Sequence, residues 1–508
     1  MARDTRDKDA NAVAGGTARS LTRRGLIQGA GMLLAASALP PVAAIAEASA
    51  SPAAEGVSPA MVKLSAYMSG ARERALPDEV VEKAKQHTLD TLAAMVSGSE
   101  LAPGQAALRF ARAYAGKEVA TIVASSILSG SIDAAMINGM LAHSDETDDS
   151  HAPSQSHPGC AIVPAAFAAG EQFGINGVQL LRAVTLGYDV GTRVTMTLGA
   201  EPYENSSHRS THSIATTFGA SAAAGCAANL NTQQMRWLLN YAAEQASGLA
   251  LWSRDPDHIE KAFDYAGGPA RNGVTGALAV HSGWTGVDDV FSGPNNFFLA
   301  FDSQADPMGL ADKLGERYEV VRTDIKKWCV GMPIQAPLDA LEDLRKQHPF
   351  EANQVVQVSV RMAPQEASIV DNREIPDICL QHIVALMLID KTVSFRSAHD
   401  KPRMQDPAVL RERAKVRLVP DEKLGRLMPR RQATVELTLA EGTKFREHVD
   451  SVRGTAANPM TSGEVRAKAR DLMAPVLGQA SASSLIERVF ALETVADVRS
   501  LRPLLQRA

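Results

Sequence analysis

Between His143 and His157 the chain reads H-S-D-E-T-D-D-S-H-A-P-S-Q-S-H, which puts three histidines and four acids into fifteen residues. Imidazole titrates near neutral pH, and a neighbouring carboxylate can orient it, so the segment could carry acid–base chemistry. The same side chains could instead hold a metal ion: His143, Asp148, Asp149, His151 and His157 offer mixed nitrogen and oxygen ligands. Such spacings specify little, and no H-E-x-x-H is present. A third reading is a solvated polar loop whose Asp, Ser and Thr side chains cap backbone groups. Spacing alone leaves all three open. Further candidates lie outside the segment. Lys261 stands in I-E-K-A-F before a glycine-rich stretch, His212 in S-T-H-S, and Lys326 beside Lys327. Each also has a plain reading, as a surface lysine, a capping or core histidine, and a solvated pair.

The elements that must position these residues are mostly helices. Ser131–Ala142 is apolar and helical and runs directly into the histidine- and acid-rich segment, while residues 162–172 form the next alanine-rich helix. Upstream, Pro77 and two acids suit a helix start, apolar residues recur at helical spacing, and Gly98 suits the stop. Residues 218–230, rich in Gly and Ala, suit close helix–helix packing. The pattern changes near residue 320. Val355–Met362 and Ala433–Leu439 alternate with period two, a turn at 440–443 leads into a return strand at 444–452, and residues 383–388 form a buried helix between them. From Thr461, a plausible N-cap, the chain is helical to its end. The expected organisation is a helical domain over residues 58–319, a smaller α+β lid domain over 320–460, and helices at 461–508 that return to the first domain. The fold class is therefore mainly α with a smaller α+β domain.

A chain of 508 residues exceeds one compact core. Its 45% apolar and 21% charged composition is that of an ordinary globular protein, and a net charge of -5 without basic blocks excludes a nucleic-acid surface. The four cysteines are far apart and form no C-x-x-C pair, which argues against a zinc or iron–sulfur site. Residues 1–50 read as an address. Arg23-Arg24 precede an apolar run, and Ala44-Ile45-Ala46 and Ala48-Ser49-Ala50 have the small-residue register of a cleavage site. The paired arginines point to a twin-arginine signal and a periplasmic destination, with no stable membrane anchor after processing. Residues 51–57 read as a linker.

The segment Asn138-Gly139, Ala142-His143, Asp148-Asp149 and His157-Pro158 resembles the N-G-x-x-A-H-x-x-D-x-D-D-T…H-P signature of the MmgE/PrpD family, which includes 2-methylcitrate dehydratase and cis-aconitate decarboxylase. Four further blocks match in order, around Leu76-Pro77, Thr211-His212-Ser213, Ile325-Lys326, and Asn458-Pro459-Met460. The resemblance implies a helical domain and a lid domain with the active site between them, a homodimer, and neither metal nor organic cofactor. It implies His157, His212, Glu146 and Ser150 as catalytic residues, and Lys261, Lys326, Asp148, Asp149 and His382 as substrate-binding residues. Several positions depart from the family pattern. Glu146 and Ser150 replace an aspartate and a threonine, Trp328-Cys329-Val330-Gly331 stands where Y-P-S-C is common, and Gln335 replaces a usual histidine. The expected function is that of a cofactor-independent lyase or isomerase, which takes a proton from the carbon beside a carboxylate of a small di- or tricarboxylate. The alternatives are a non-catalytic carboxylate-binding protein on the same fold and a metal-dependent hydrolase.

Overall fold

The computed structural model describes residues 56–301 and 303–507. The signal peptide expected at residues 1–50, and the linker up to residue 55, lie outside the described residues. No helix among the described residues is long and apolar enough to cross a membrane.

Two hydrophobic cores organise the described residues, as expected for a mainly α protein with a smaller α+β part. The first gathers apolar side chains from Met61 to Cys329 and again from Met460 to Leu505. The second gathers those from Trp328 to Val452. Helices α1 (Asp78–Gly98), α2 (Ser131–Ala142), α3 (Gly159–Phe173), α4 (Gly177–Leu198) and α5 (Thr211–Ala227) build the first core. The first turn of α1 carries Asp78 and Glu79, which suit the positive helix end. From Ala84 onward α1 is buried on all sides, so it is a central rather than an amphipathic surface helix. Helices α4 and α5 approach so closely that a Cβ at Gly191 would lie 2.2 Å from the Ala215 carbonyl oxygen. The stripe of small residues is what permits that contact.

Residues 259–281 run as Ile259–Ala262, a π turn at Phe263–Gly267, and helix α6 (Gly268–His281). Such π turns recur at functional sites. Gly139 of α2 packs directly on this one, where an added Cβ would lie 2.9 Å from the Ala266 carbonyl. Its neighbour Asn138 is also structural. The side chain accepts from the Val123 amide at 2.9 Å and donates to the Thr121 carbonyl at 2.8 Å.

In the second core, helices α7 (Met332–Gln347) and α8 (Leu380–Asp390) accompany a four-stranded sheet. Its strands are β1 (Val355–Met362), β2 (Val416–Pro420), β3 (Ala433–Leu439) and β4 (Lys444–Val449), in the order β2-β1-β3-β4. Strand β1 runs parallel to β2 and antiparallel to β3, and β3-β4 is a hairpin. Val358 faces Leu437 and Val360 faces Val435 across the ladder, which turns one face of the sheet inward. The parallel strand β2 has no clear alternation, because its residues are exposed or only partly buried. Helix α9 (Ser462–Leu477) starts with a capping box between Thr461 and Glu464. It packs against α1, and its Lys468 reaches Asp90 at 2.7 Å.

Candidate active site

The segment after α2 is not a solvated loop. His143, Asp148, Asp149 and His151 are fully buried, and Glu146, Ser150 and His157 are less than a tenth exposed. The loop is held at several points. Lys468 of α9 donates to the Thr147 carbonyl at 2.9 Å. The Ser150 backbone pairs in both directions with Asp324, at 3.0 and 2.8 Å, which brings Lys326 beside the loop. His151 contacts Ser154 at 2.8 Å and Glu319 at 3.3 Å.

Asp149 points away from the cavity. Its carboxylate accepts from the Gly159 amide at 2.9 Å and from the Tyr188 hydroxyl, and it lies 2.9 Å from Nδ1 of His87. It anchors the loop to α1, α3 and α4, so the expectation that it binds substrate is corrected. Asp148 is also behind the wall. It lies 2.9 Å from Nδ1 of His143, 3.4 Å from Nδ1 of His157 and 3.6 Å from Lys326 Nζ. It therefore acts on the site through His157 and Lys326.

A cavity of about 400 Å³ opens in front of this layer. Glu146, Ser150, His157, His212 and Lys261 all line it, joined by Tyr265. These residues are far apart in sequence and converge because the loop, the start of α5 and the π turn meet. Lys261 forms a tight ion pair with Glu146 and sits over two rings, with Nζ 5.1 Å from the centre of Tyr265 and 5.4 Å from that of Trp252. Lys326 is fully enclosed and does not line the cavity. It donates to the Glu146 carbonyl oxygen at 2.9 Å and lies 3.5 Å from the Glu146 carboxylate. Its expected role in substrate binding becomes one of supporting Glu146 and Asp148 from behind.

The imidazoles form a stack. The His212 ring lies 3.9 Å from Tyr265, nearly parallel at 8°, and 5.2 Å from His157. His143 stacks on the Tyr265 ring at 4.8 Å. Burial pushes His157 below its ordinary value, and the positive Lys326 adds to this against the pull of Asp148. Burial, with His157 and Lys261, holds His212 well down, and burial with Lys261 does the same for His258. All three are neutral bases at neutral pH. Burial would raise Glu146, but Lys261 and Lys326 overcome it and hold the carboxyl well below the usual range. Burial keeps the Tyr265 phenol protonated, far above its ordinary value.

Two groups bring possible metal ligands within 4.8 Å of one another: His143, Asp148 and His157, and His143, Glu146 and His258. The carboxylate in each already carries a lysine partner, Lys326 for Asp148 and both lysines for Glu146. A dication there would face two buried ammonium groups, so the donor set fits an ion-pair network better than a metal centre.

His382 is not in this constellation. It sits on α8 inside the second core, fully buried, with no hydrogen-bond partner on either ring nitrogen among the described residues, and it does not line the cavity. Burial, with Arg413 and Arg403, pushes it down to about 4. Gln335 is structural as well, bracing a turn through the Trp328 amide at 3.1 Å and carbonyl at 2.8 Å. The sequence reading missed Tyr265, Trp252 and His258 as cavity residues. Tyr265 follows Lys261 by four residues, a helical-turn spacing that could have flagged it.

Residues 62–309 match the MmgE/PrpD N-terminal domain and residues 328–492 the MmgE/PrpD C-terminal domain. The chain belongs to the MmgE/PrpD family. Within that family it is similar to cis-aconitate decarboxylase of Aspergillus terreus, 24% identical over 467 residues, covering 85% of this chain and 92% of the relative. It is similar to mouse (Mus musculus) cis-aconitate decarboxylase, 24% identical over 468 residues, covering 86% and 91%. A cis-aconitate decarboxylase-like protein, oryM, of Aspergillus oryzae is 26% identical over 295 residues; that match spans 54% of this chain and 59% of the relative.

Proposed function

We propose that this MmgE/PrpD protein is a lyase that acts on a small di- or tricarboxylate, by decarboxylation or dehydration. The observation that carries the reading is the meeting of neutral His157 and His212 with the Lys261–Glu146 pair in one cavity. Its similarity to cis-aconitate decarboxylases supports the class and makes cis-aconitate the first substrate to try.

His157 is the better proton carrier of the two stacked histidines. Asp148 lies 3.4 Å from its Nδ1, so a carboxylate stands ready to stabilise the imidazolium when Nε2 takes a proton. Neither Nδ1 carries a hydrogen bond, but among the described residues no carboxylate lies within ion-pair distance of His212, as Asp148 does of His157. Lys261 binds the substrate carboxylate beside the reacting carbon and stabilises the charge that develops there. In dehydration, His157 takes the proton from that carbon, the electron pair forms the double bond, and the hydroxyl leaves as water, carrying away the proton that His157 has taken. In decarboxylation, the carbon–carbon bond to the carboxylate breaks, carbon dioxide leaves, the bonding pair stays on the carbon, and His157, charged by a proton from solvent, delivers that proton to the carbanion. Tyr265 remains a phenol and donates a hydrogen bond within the site.

The test is turnover by purified protein on a panel of di- and tricarboxylates that includes cis-aconitate, with His157→Gln and His212→Gln beside the wild type. Loss of turnover in His157→Gln is expected. Full turnover in both variants, or carboxylate binding by the wild type without any turnover, would overturn the assignment. We further propose, from Arg23-Arg24 ahead of an apolar run, that the enzyme works in the periplasm, and from the family resemblance that it is a homodimer. Light scattering on the purified protein reads the latter directly.

A further inference from the structure

We infer that Arg431 is the residue that takes the substrate carboxylate remote from the reacting carbon, and so selects polycarboxylates over monocarboxylates. This rests on the lyase reading of the cavity. The groups with chemistry to do, Glu146, Ser150, His157, His212, Lys261 and Tyr265, all come from the helical part of the chain. The facing wall comes from residues of the α+β part, among them Gln365, Ile375 and Ile378, and its cations are Arg373 and Arg431.

The lysines on the helical side are largely committed. Lys261 is paired with Glu146, and Lys326 is enclosed between Glu146 and Asp148. One carboxylate can be met there by Lys261. A second needs another cation, and Arg431 is built to supply it. It stands just before β3, with its side chain mostly buried. One end of its guanidinium is fixed, Nη1 donating to the buried Glu366 at 2.9 Å, while its Nε is buried with no hydrogen-bond partner. A planar guanidinium held at one corner keeps its charge and further N–H donors, and on the cavity wall these match a carboxylate. The cavity, about 400 Å³, is of the size that encloses a small ligand. The substrate thus bridges the two halves of the protein, reacting end on Lys261 and His157, remote end on Arg431.

The experiment is calorimetric titration of wild type, Arg431→Gln and Arg431→Lys with tricarballylate and with each of its monoamides. Tricarballylate is a saturated tricarboxylate that cannot undergo the reaction. Loss of a charge-assisted contact is worth roughly 10- to 100-fold in affinity. Arg431→Gln is therefore expected to weaken tricarballylate by that factor, and to leave unchanged the one monoamide that already lacks the remote carboxylate. Arg431→Lys should retain part of the affinity, because it keeps the charge but loses the fork. Equal weakening of every probe by Arg431→Gln would mean a structural role and overturn the inference. So would unchanged tricarballylate binding, or no binding of any probe to the wild type. Turnover by the wild type on the substrate panel is scored separately, so failure of the lyase reading is distinguishable from failure of the Arg431 assignment.

Discussion

Replacing Asp148 by Asn tests whether His157 is the proton carrier. Asp148 is fully buried, and its charged and imidazole contacts include His143, His157 and Lys326. At the 3.4 Å that separates it from His157, a unit charge pair in a medium of effective dielectric about 20 is worth about 5 kcal/mol. An asparagine oxygen in the same place would return about 1 kcal/mol as a neutral hydrogen bond. The protonated form of His157 would then lose about 4 kcal/mol of support, which corresponds to about 1000-fold in rate if the imidazolium forms in the rate-limiting step. The pH profile adds a sign. Asp148 pulls His157 upward against burial and Lys326, so its removal lowers the histidine further. In a dehydration the acid limb of kcat/KM, where His157 must lose its proton, should move to lower pH; in a decarboxylation the alkaline limb, where His157 must hold its proton, should move the same way; the plateau falls about 1000-fold in both. Because a buried lysine is left with one partner fewer, a stability loss of about 3–5 kcal/mol is also expected, and the assay belongs well below the variant's melting temperature. A plateau within a few-fold of the wild type, or an acid limb that moves to higher pH, would refute the assignment of His157 as an Asp148-backed base.

Three further outcomes follow from the same contacts. Lys261→Met removes the cation on the helical side of the cavity and leaves Glu146 with Lys326 alone, so kcat/KM should fall by roughly 100-fold or more, measured by steady-state turnover. His382 sits at about 4 in the folded chain against about 6.5 when unfolded, so its contribution to stability is present above pH 6.5 and is lost as pH falls towards 4. By pH 5 that loss is about 2 kcal/mol, and His382→Leu should remove this part of the decline, as read by urea unfolding at pH 7 and pH 5. Replacing Arg23 and Arg24 together by Lys should hold the protein in the cytoplasm, as read by fractionation; unchanged export would refute the twin-arginine reading.

Much of the architecture could be read from the chain because it is written in local periodicity. Helix α2 has the predicted bounds, β1 and β3 coincide with the alternating runs, and Thr461 caps α9 through its own side chain. The order of the motif blocks was likewise sufficient to point to the MmgE/PrpD family, because a signature is a local pattern. Direction and depth were not legible. Asp148 and Asp149 are neighbours, yet one supports His157 and the other ties the loop to three helices. Lys261 and Lys326 both reach Glu146, from 115 and 180 residues away, but only Lys261 faces the cavity. His382 was expected to bind substrate and lies in the second core, whereas Tyr265 and Arg431 were not singled out and line the site. The sequence by itself determined the elements and the family, since propensity, capping and pattern act over a few residues. Only the tertiary structure decided which side chains meet and which are buried behind them. Those choices depend on how distant helices and the facing α+β unit pack, and packing brings together residues that share no local signal.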